Sequence, residues 1–331
     1  MFSRYSILST DANPDTLARR DLSEIATKEN PMLHPGPLPP IRLGDLTIHR
    51  IVEMQAPLFA ARTFFPKLTE EMLAENRSWL VPDFIDPVGD MLILAVQSYV
   101  IETPHHTILV DSCVGNHKPR PGRPMWDQQS SDTYERNLAA AGIAIADIDF
   151  VMCTHLHVDH VGWNTRLENG RWVPTFPNAR YLFSERELAF WTARESKDAA
   201  TCPWITDSVL PIVAAKRCDT VSSAHVLNDH VRCIPTPGHT IDHFSVHAGR
   251  LGAADAVITG DMIHSPLQGR YPDLGMMADY DSAMAGQTRR NLFSRFADTP
   301  TLMCAAHFPS PSVARIARRS DDAFDFQMKG H

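Results

Sequence analysis

Thr154-His155-Leu156-His157-Val158-Asp159-His160 sets three imidazoles and a carboxylate into the six residues from His155 onward. Upstream, Ile148 to Thr154 (IDFVMCT) is an apolar run of strand length, so the cluster sits on the loop leaving a strand. In an extended or turning segment His155 and His157 point the same way and can reach one ion. Asp159 and His160 follow as the chain turns and are placed for a second. Imidazole nitrogen and carboxylate oxygen are the ligands that zinc-type divalent ions favour. The competing reading is a solvated histidine-rich loop, but such a loop has no reason to space four ligands directly after an apolar strand.

Three later segments repeat the arrangement. Val231 to Pro235 leads into Gly238-His239, Ala256 to Thr259 into Gly260-Asp261, and Thr301 to Ala305 into Ala306-His307. Strands therefore converge, and the loops at their C-terminal ends present the chemistry. Between them the pattern predicts a hairpin of Leu94–Thr103 with Thr107–Cys113 and a helix over Asp132–Ala141 with Asp132 and Glu135 at capping-box spacing. It also predicts a tight turn at Asn169-Gly170, a strand at Arg180–Phe183, and a helix opened by Ser184 with Glu187 and running through Arg194.

The 331 residues, 44% hydrophobic and 21% charged, suffice for one large domain. Residues 1–40 end in a run of prolines and read as an arm or linker, and residues 41–331 as the catalytic domain. The arm is expected to pack on its own body or on a partner subunit. A formal charge of −8 provides no basic surface for nucleic acid, and no apolar run is long enough to span a membrane. The six cysteines Cys113, Cys153, Cys202, Cys218, Cys233 and Cys304 lack paired spacing. They read as reduced thiols of a cytoplasmic protein.

The segment His-x-His-x-Asp-His resembles the signature of the metallo-β-lactamase superfamily. The later Gly238-His239, Gly260-Asp261 and Ala306-His307 resemble its remaining ligand positions, and Leu109-Val110-Asp111 resembles its early strand ending in Asp. The resemblance implies an α/β fold, an αββα sandwich of two facing mixed β-sheets with outer helices. It implies two zinc-type divalent ions, roughly 3.5–4 Å apart as two-metal sites require. His155, His157 and His239 would hold the first ion, Asp159, His160 and His307 the second, and Asp261 would bridge them. A water shared by the ions would be the nucleophile, with Asp159 orienting it and taking up its proton. His243 reads as a residue supporting the ligands.

In layout the chain looks like the branch containing N-acyl-homoserine lactonases and methyl-parathion-type hydrolases, on which a homodimer is the expected assembly. The implied function is hydrolysis of a neutral lactone or ester; the alternatives are a phosphotriester hydrolase and a mononuclear-iron oxidoreductase. Where the lactonases have a Tyr three residues beyond the bridging Asp, this chain has His264. That residue either donates to the substrate oxygen or braces its loop through Asp261. Pocket walls are expected from Phe64, Phe65, Trp163, Met276, Met277 and Phe308, with Trp163 open between a wall and a packed aromatic.

Overall fold

The computed structural model describes residues 36, 38–250 and 254–328, and the predicted arm falls almost wholly outside them. A first mixed sheet is built from β1 (Ile41–Leu43), β2 (Leu46–Ala60), β3 (Met91–Glu102), β4 (Thr107–Val110) and β5 (Phe150–Met152). A separate hairpin of β6 (Thr165–Glu168) and β7 (Arg171–Pro174) follows, and then β8 (Arg180–Ser184) and β9 (Cys218–Val221) complete the sheet in the order β1-β2-β3-β4-β5-β8-β9. The second sheet keeps chain order: β10 (Val231–Pro235), β11 (Phe244–Gly249), β12 (Asp255–Ile258), β13 (Leu302–Cys304), β14 (Val313–Ser320) and β15 (Ala323–Met328). Each sheet has one parallel pair of loop-bearing strands, β4 with β5 and β12 with β13, whereas β10, which leads to His239, pairs antiparallel with β11.

Alternation along the strands makes the layers. Ile108 and Val110 of β4, Met152 of β5 and Leu182 of β8 point inward to meet Val246, Ala256, Ile258 and Cys304 of the second sheet. Their neighbours Leu109, Val151, Tyr181 and Phe183 point outward, as the two-residue period of a strand requires. Each fully buried side chain of this size contributes about 1.5–3 kcal/mol.

The outer face of the first sheet is covered by helices that include α1 (Ala61–Phe64), α2 (Glu70–Leu80), α3 (Thr133–Ala140), α4 (Glu185–Lys197), α5 (Pro203–Ser208) and α6 (Leu210–Ala214). After α7 (Leu267–Arg270), α8 (Ser282–Phe296) sets Leu292, Phe293 and Phe296 against Val257, Met303 and Phe324 on the far side of the second sheet. The result is the αββα sandwich.

Local expectations hold with adjustments. Asn169 and Gly170 turn β6 into β7 with φ of +50° and +76°, the left-handed pair that such a hairpin needs. Ser184 caps α4 by accepting from the Glu187 amide at 3.3 Å, and the helix runs on to Lys197 rather than ending at Arg194. Asp132 occupies the cap position of α3 but makes no capping bond; its carboxylate pairs with Arg136 at 3.0 Å instead. β2 has no clean apolar alternation because Arg50 and Glu53 are buried within it, so only its pairing with β3 reveals it. All six cysteines are free, five of them buried. No described helix is long and apolar enough to cross a membrane.

Candidate metal centre

The loops after β5, β10, β12 and β13 meet at one edge of the sandwich. There the ligand atoms of His155, His157, His239 and Asp261 lie within 4.8 Å of one another. Asp159, His160 and His307 form a second such group, and Asp261, His264 and His307 a third. All seven predicted ligands, and His264 with them, are therefore brought together. None of the other described histidines belongs to these groups.

Asp261 stands at the junction. Its Oδ2 lies 3.6 Å from His155 Nε2, 3.2 Å from His239 Nε2 and 3.1 Å from His264 Nε2. Its Oδ1 lies 2.9 Å from both His160 Nε2 and His307 Nε2. Asp159 lies farther out, 3.7 Å from His307 and 3.9 Å from His160.

The outward nitrogens are tied down. Thr154 Oγ1 lies 3.0 Å from His155 Nδ1 and itself donates to Asp111. His160 Nδ1 lies 3.0 Å from Asp111, His239 Nδ1 3.1 Å from Asp279, and His307 Nδ1 donates to the Ala95 carbonyl at 2.8 Å. Such partners fix the outer N–H and aim the lone pair of the other nitrogen inward. Asp111 takes a left-handed backbone, φ +59°, that turns its carboxylate under both His160 and Thr154. His243 also supports the ligands, since its Nε2 accepts the Asp261 amide at 3.0 Å while Nδ1 meets Thr236. Gly260 permits this approach: a Cβ there would stand 2.5 Å from His243 Nε2.

Inward, the donor set is crowded with lone pairs. His157 Nδ1 faces His239 Nε2 at 2.9 Å, and His160 Nε2 faces His307 Nε2 at 3.3 Å. His155 Nε2 and Asp261 Oδ1 are buried without a hydrogen-bond partner. Burial and the neighbouring imidazoles push His155 and His157 well below the usual histidine range, leaving both rings neutral. Burial opposes charge on His239 as well, but Asp261 and Asp279 outweigh it and raise that ring to about 9. Imidazole nitrogens pointed at each other around carboxylates that favour positive charge on His160, His239 and His307 are the chemistry of a cation site, and these residues fit divalent ions.

A sequence profile of the metallo-beta-lactamase superfamily matches residues 93–307, which span every one of these ligands. The chain belongs to that superfamily. No curated protein sequence matches it. Among solved structures, it is similar to AbOPH, a hydrolase in the beta lactamase superfamily, with 21% identity over 90% of this chain and 99% of the other at a TM-score of 0.75. It is also similar to AidC, a dizinc quorum-quenching lactonase solved with a product, with 20% identity over 89% and 98% of the two chains at a TM-score of 0.71. Superfamily and cluster together make this a metal-dependent hydrolase in broad class.

The expected pocket walls divide. Phe64 sets its ring 5.3 Å from His264, and Phe65 packs behind it. Met276 and Met277 are half-buried, the Met277 amide bound to the Phe64 carbonyl. Trp163 and Phe308 do not line a cleft. Trp163 stacks on Tyr134 and donates to Glu53 at 2.6 Å, while Phe308 packs between Phe84 and Phe326. Asp279 and Trp191 touch the centre, at His239 and His157 respectively, without any motif that would have marked them.

Proposed function

We propose that the protein is a dinuclear metal-dependent hydrolase that cleaves a lactone or carboxylic ester, neutral at the bond that breaks. The division of Asp261 carries this reading: one carboxylate turns its two oxygens to two separate nitrogen groups, as a bridge between two cations must. His155, His157 and His239 would hold one ion and Asp159, His160 and His307 the other. Two zinc-type ions bound there supply Lewis acidity and a water acidic enough to ionise near neutral pH.

The chain's own residues do the rest. Asp159 is more open than the other members of its group, its side chain 13% exposed against 6% or less for His160, Asp261 and His307. It is thus placed both to ligate and to hold a proton at the substrate side. Burial lowers His264 to about 4, so its ring is neutral and carries one N–H. With Nε2 at Asp261 and Nδ1 buried without a partner, that N–H is used on Asp261. This supports the bracing role over donation to substrate.

The test is metal-loaded protein assayed on matched lactones, aryl esters and phosphotriesters, with metal content measured in parallel. Two ions per chain with lactone or ester turnover is the expected result. Two ions with phosphotriester turnover alone, or one iron with redox activity, would overturn it. For His264, bracing predicts that His264→Ala slows good and poor leaving groups equally, whereas an acid would cost the poor one more.

A further inference from the structure

Two lines of aromatic rings leave the metal centre, from His157 and from His264, and end on the same cation. From His157 the line passes to Trp191 at 5.4 Å, to Trp204 at 5.4 Å, and to the Arg123 guanidinium 5.3 Å from the Trp204 ring. From His264 it passes to Phe64 at 5.3 Å, to Phe59 at 5.3 Å, to Trp126 at 6.3 Å, and again to Arg123 at 5.9 Å. Arg123 is half-buried, and its charge acts on both Asp159 and His157. Among the described residues its side chain has no ion pair and no hydrogen bond.

The backbone that carries Arg123 is held by its own turn. The Arg123 carbonyl accepts from the Trp126 and Asp127 amides at 2.9 and 3.0 Å, and its amide donates to Arg120. Arg120 in turn clasps Asp207 of α5 through two bonds of 2.6 and 2.9 Å, and α5 also carries Trp204. The cation and its aromatic platform thus share one buried anchor.

Desolvating a guanidinium without a partner is costly until an anion docks on it. Indole faces hold such a cation by its flat sides and leave its in-plane N–H fork for a carboxylate, which it matches in two-pronged fashion. We propose that Arg123 determines substrate specificity by binding a carboxylate that the substrate carries away from the bond being broken. The preferred substrates are then esters or lactones of acidic compounds, not the wholly neutral ones expected from sequence. The inference rests on the hydrolase reading and narrows it.

The test compares nitrophenyl hexanoate with nitrophenyl monoadipate, whose acyl chain ends in a carboxylate, on metal-loaded full-length protein. The wild type is expected to prefer the adipate, and Arg123→Gln to lower the adipate-to-hexanoate ratio of kcat/KM by about 10–100-fold, mainly through KM. Arg123→Lys, which keeps the charge but not the fork, should fall between. Binding of free adipate, followed by tryptophan fluorescence, should weaken in parallel in Arg123→Gln. An unchanged ratio and unchanged adipate binding in that variant would overturn the proposal. Adipate binding that depends on Arg123 in a protein that cleaves neither ester would uphold the anion site while removing the hydrolase reading.

Discussion

The two sides of Asp261 differ in composition and in openness. On the Oδ2 side stand the rings of His155 and His239, 0% and 1% exposed, with His157 against His239. On the Oδ1 side His160 and His307 close in, but the third member is the more exposed carboxylate of Asp159, whose contacts stretch to 3.7 and 3.9 Å. An all-imidazole group is closely assembled, whereas a group that ends in a carboxylate with longer contacts is loosely closed. In the proposed two-ion centre the first side should therefore hold its ion more firmly, and the second should be the side at which substrate arrives.

Removing the shared element should do most damage. Asp261→Ala is expected to cut metal content from two ions to below one and to abolish activity beyond the roughly 10–100-fold cost of losing an outer partner; retention of both ions would show that Asp261 is no bridge. The comparison itself is tested by Asp159→Ala, which should keep one ion on the imidazole side and reduce activity by about 10²–10⁴-fold, the range for a proton-transfer group. Metal analysis showing both ions lost together would erase the difference between the sides.

Asp279→Asn loosens His239 on the Oδ2 side alone, whereas Asp111→Asn loosens His160 directly and His155 through Thr154. Each should weaken metal affinity by about 10–100-fold, read by competition with a chelator. Asp279→Asn should release the ion on the Oδ2 side first, and Asp111→Asn should weaken both.

The smallest effect lies behind the Oδ1 side. Glu53 accepts from the Val114 and Gly115 amides and from Trp163, but burial outweighs those bonds and raises it from 4.5 to about 7. The native state then binds this proton more tightly than the unfolded chain. The stability it contributes is present below pH 4.5 and is lost as pH rises through about 7. Melting temperatures across that window should fall more steeply for the wild type than for Glu53→Gln, and equal slopes would remove Glu53 as the cause.

Much of this centre is legible in the chain because its ligands are spaced locally. His155, His157, Asp159 and His160 share one strand exit, and His239, Asp261 and His307 each follow an apolar run of strand length. β2 was not legible, since Arg50 and Glu53 interrupt its pattern and find their partners only across the fold. In the sequence Trp163 stays open and Phe308 reads as a pocket wall, although it packs in the core, for the reverse reason: an aromatic beside a motif reads the same whether it lines a cleft or fills the core.

By itself the sequence placed the candidate ligands on strand-exit loops, because strand periodicity and ligand spacing are properties of neighbouring residues, while the sandwich and the division of those residues between two ions were what the resemblance implied. Tertiary structure alone decided which oxygen of Asp261 serves which group, that Asp279 and the Ala95 carbonyl aim His239 and His307, and that Trp126 and Trp204 flank Arg123. Those relations join residues far apart in the chain, and only the packing of the two sheets and their covering helices sets the distances between them.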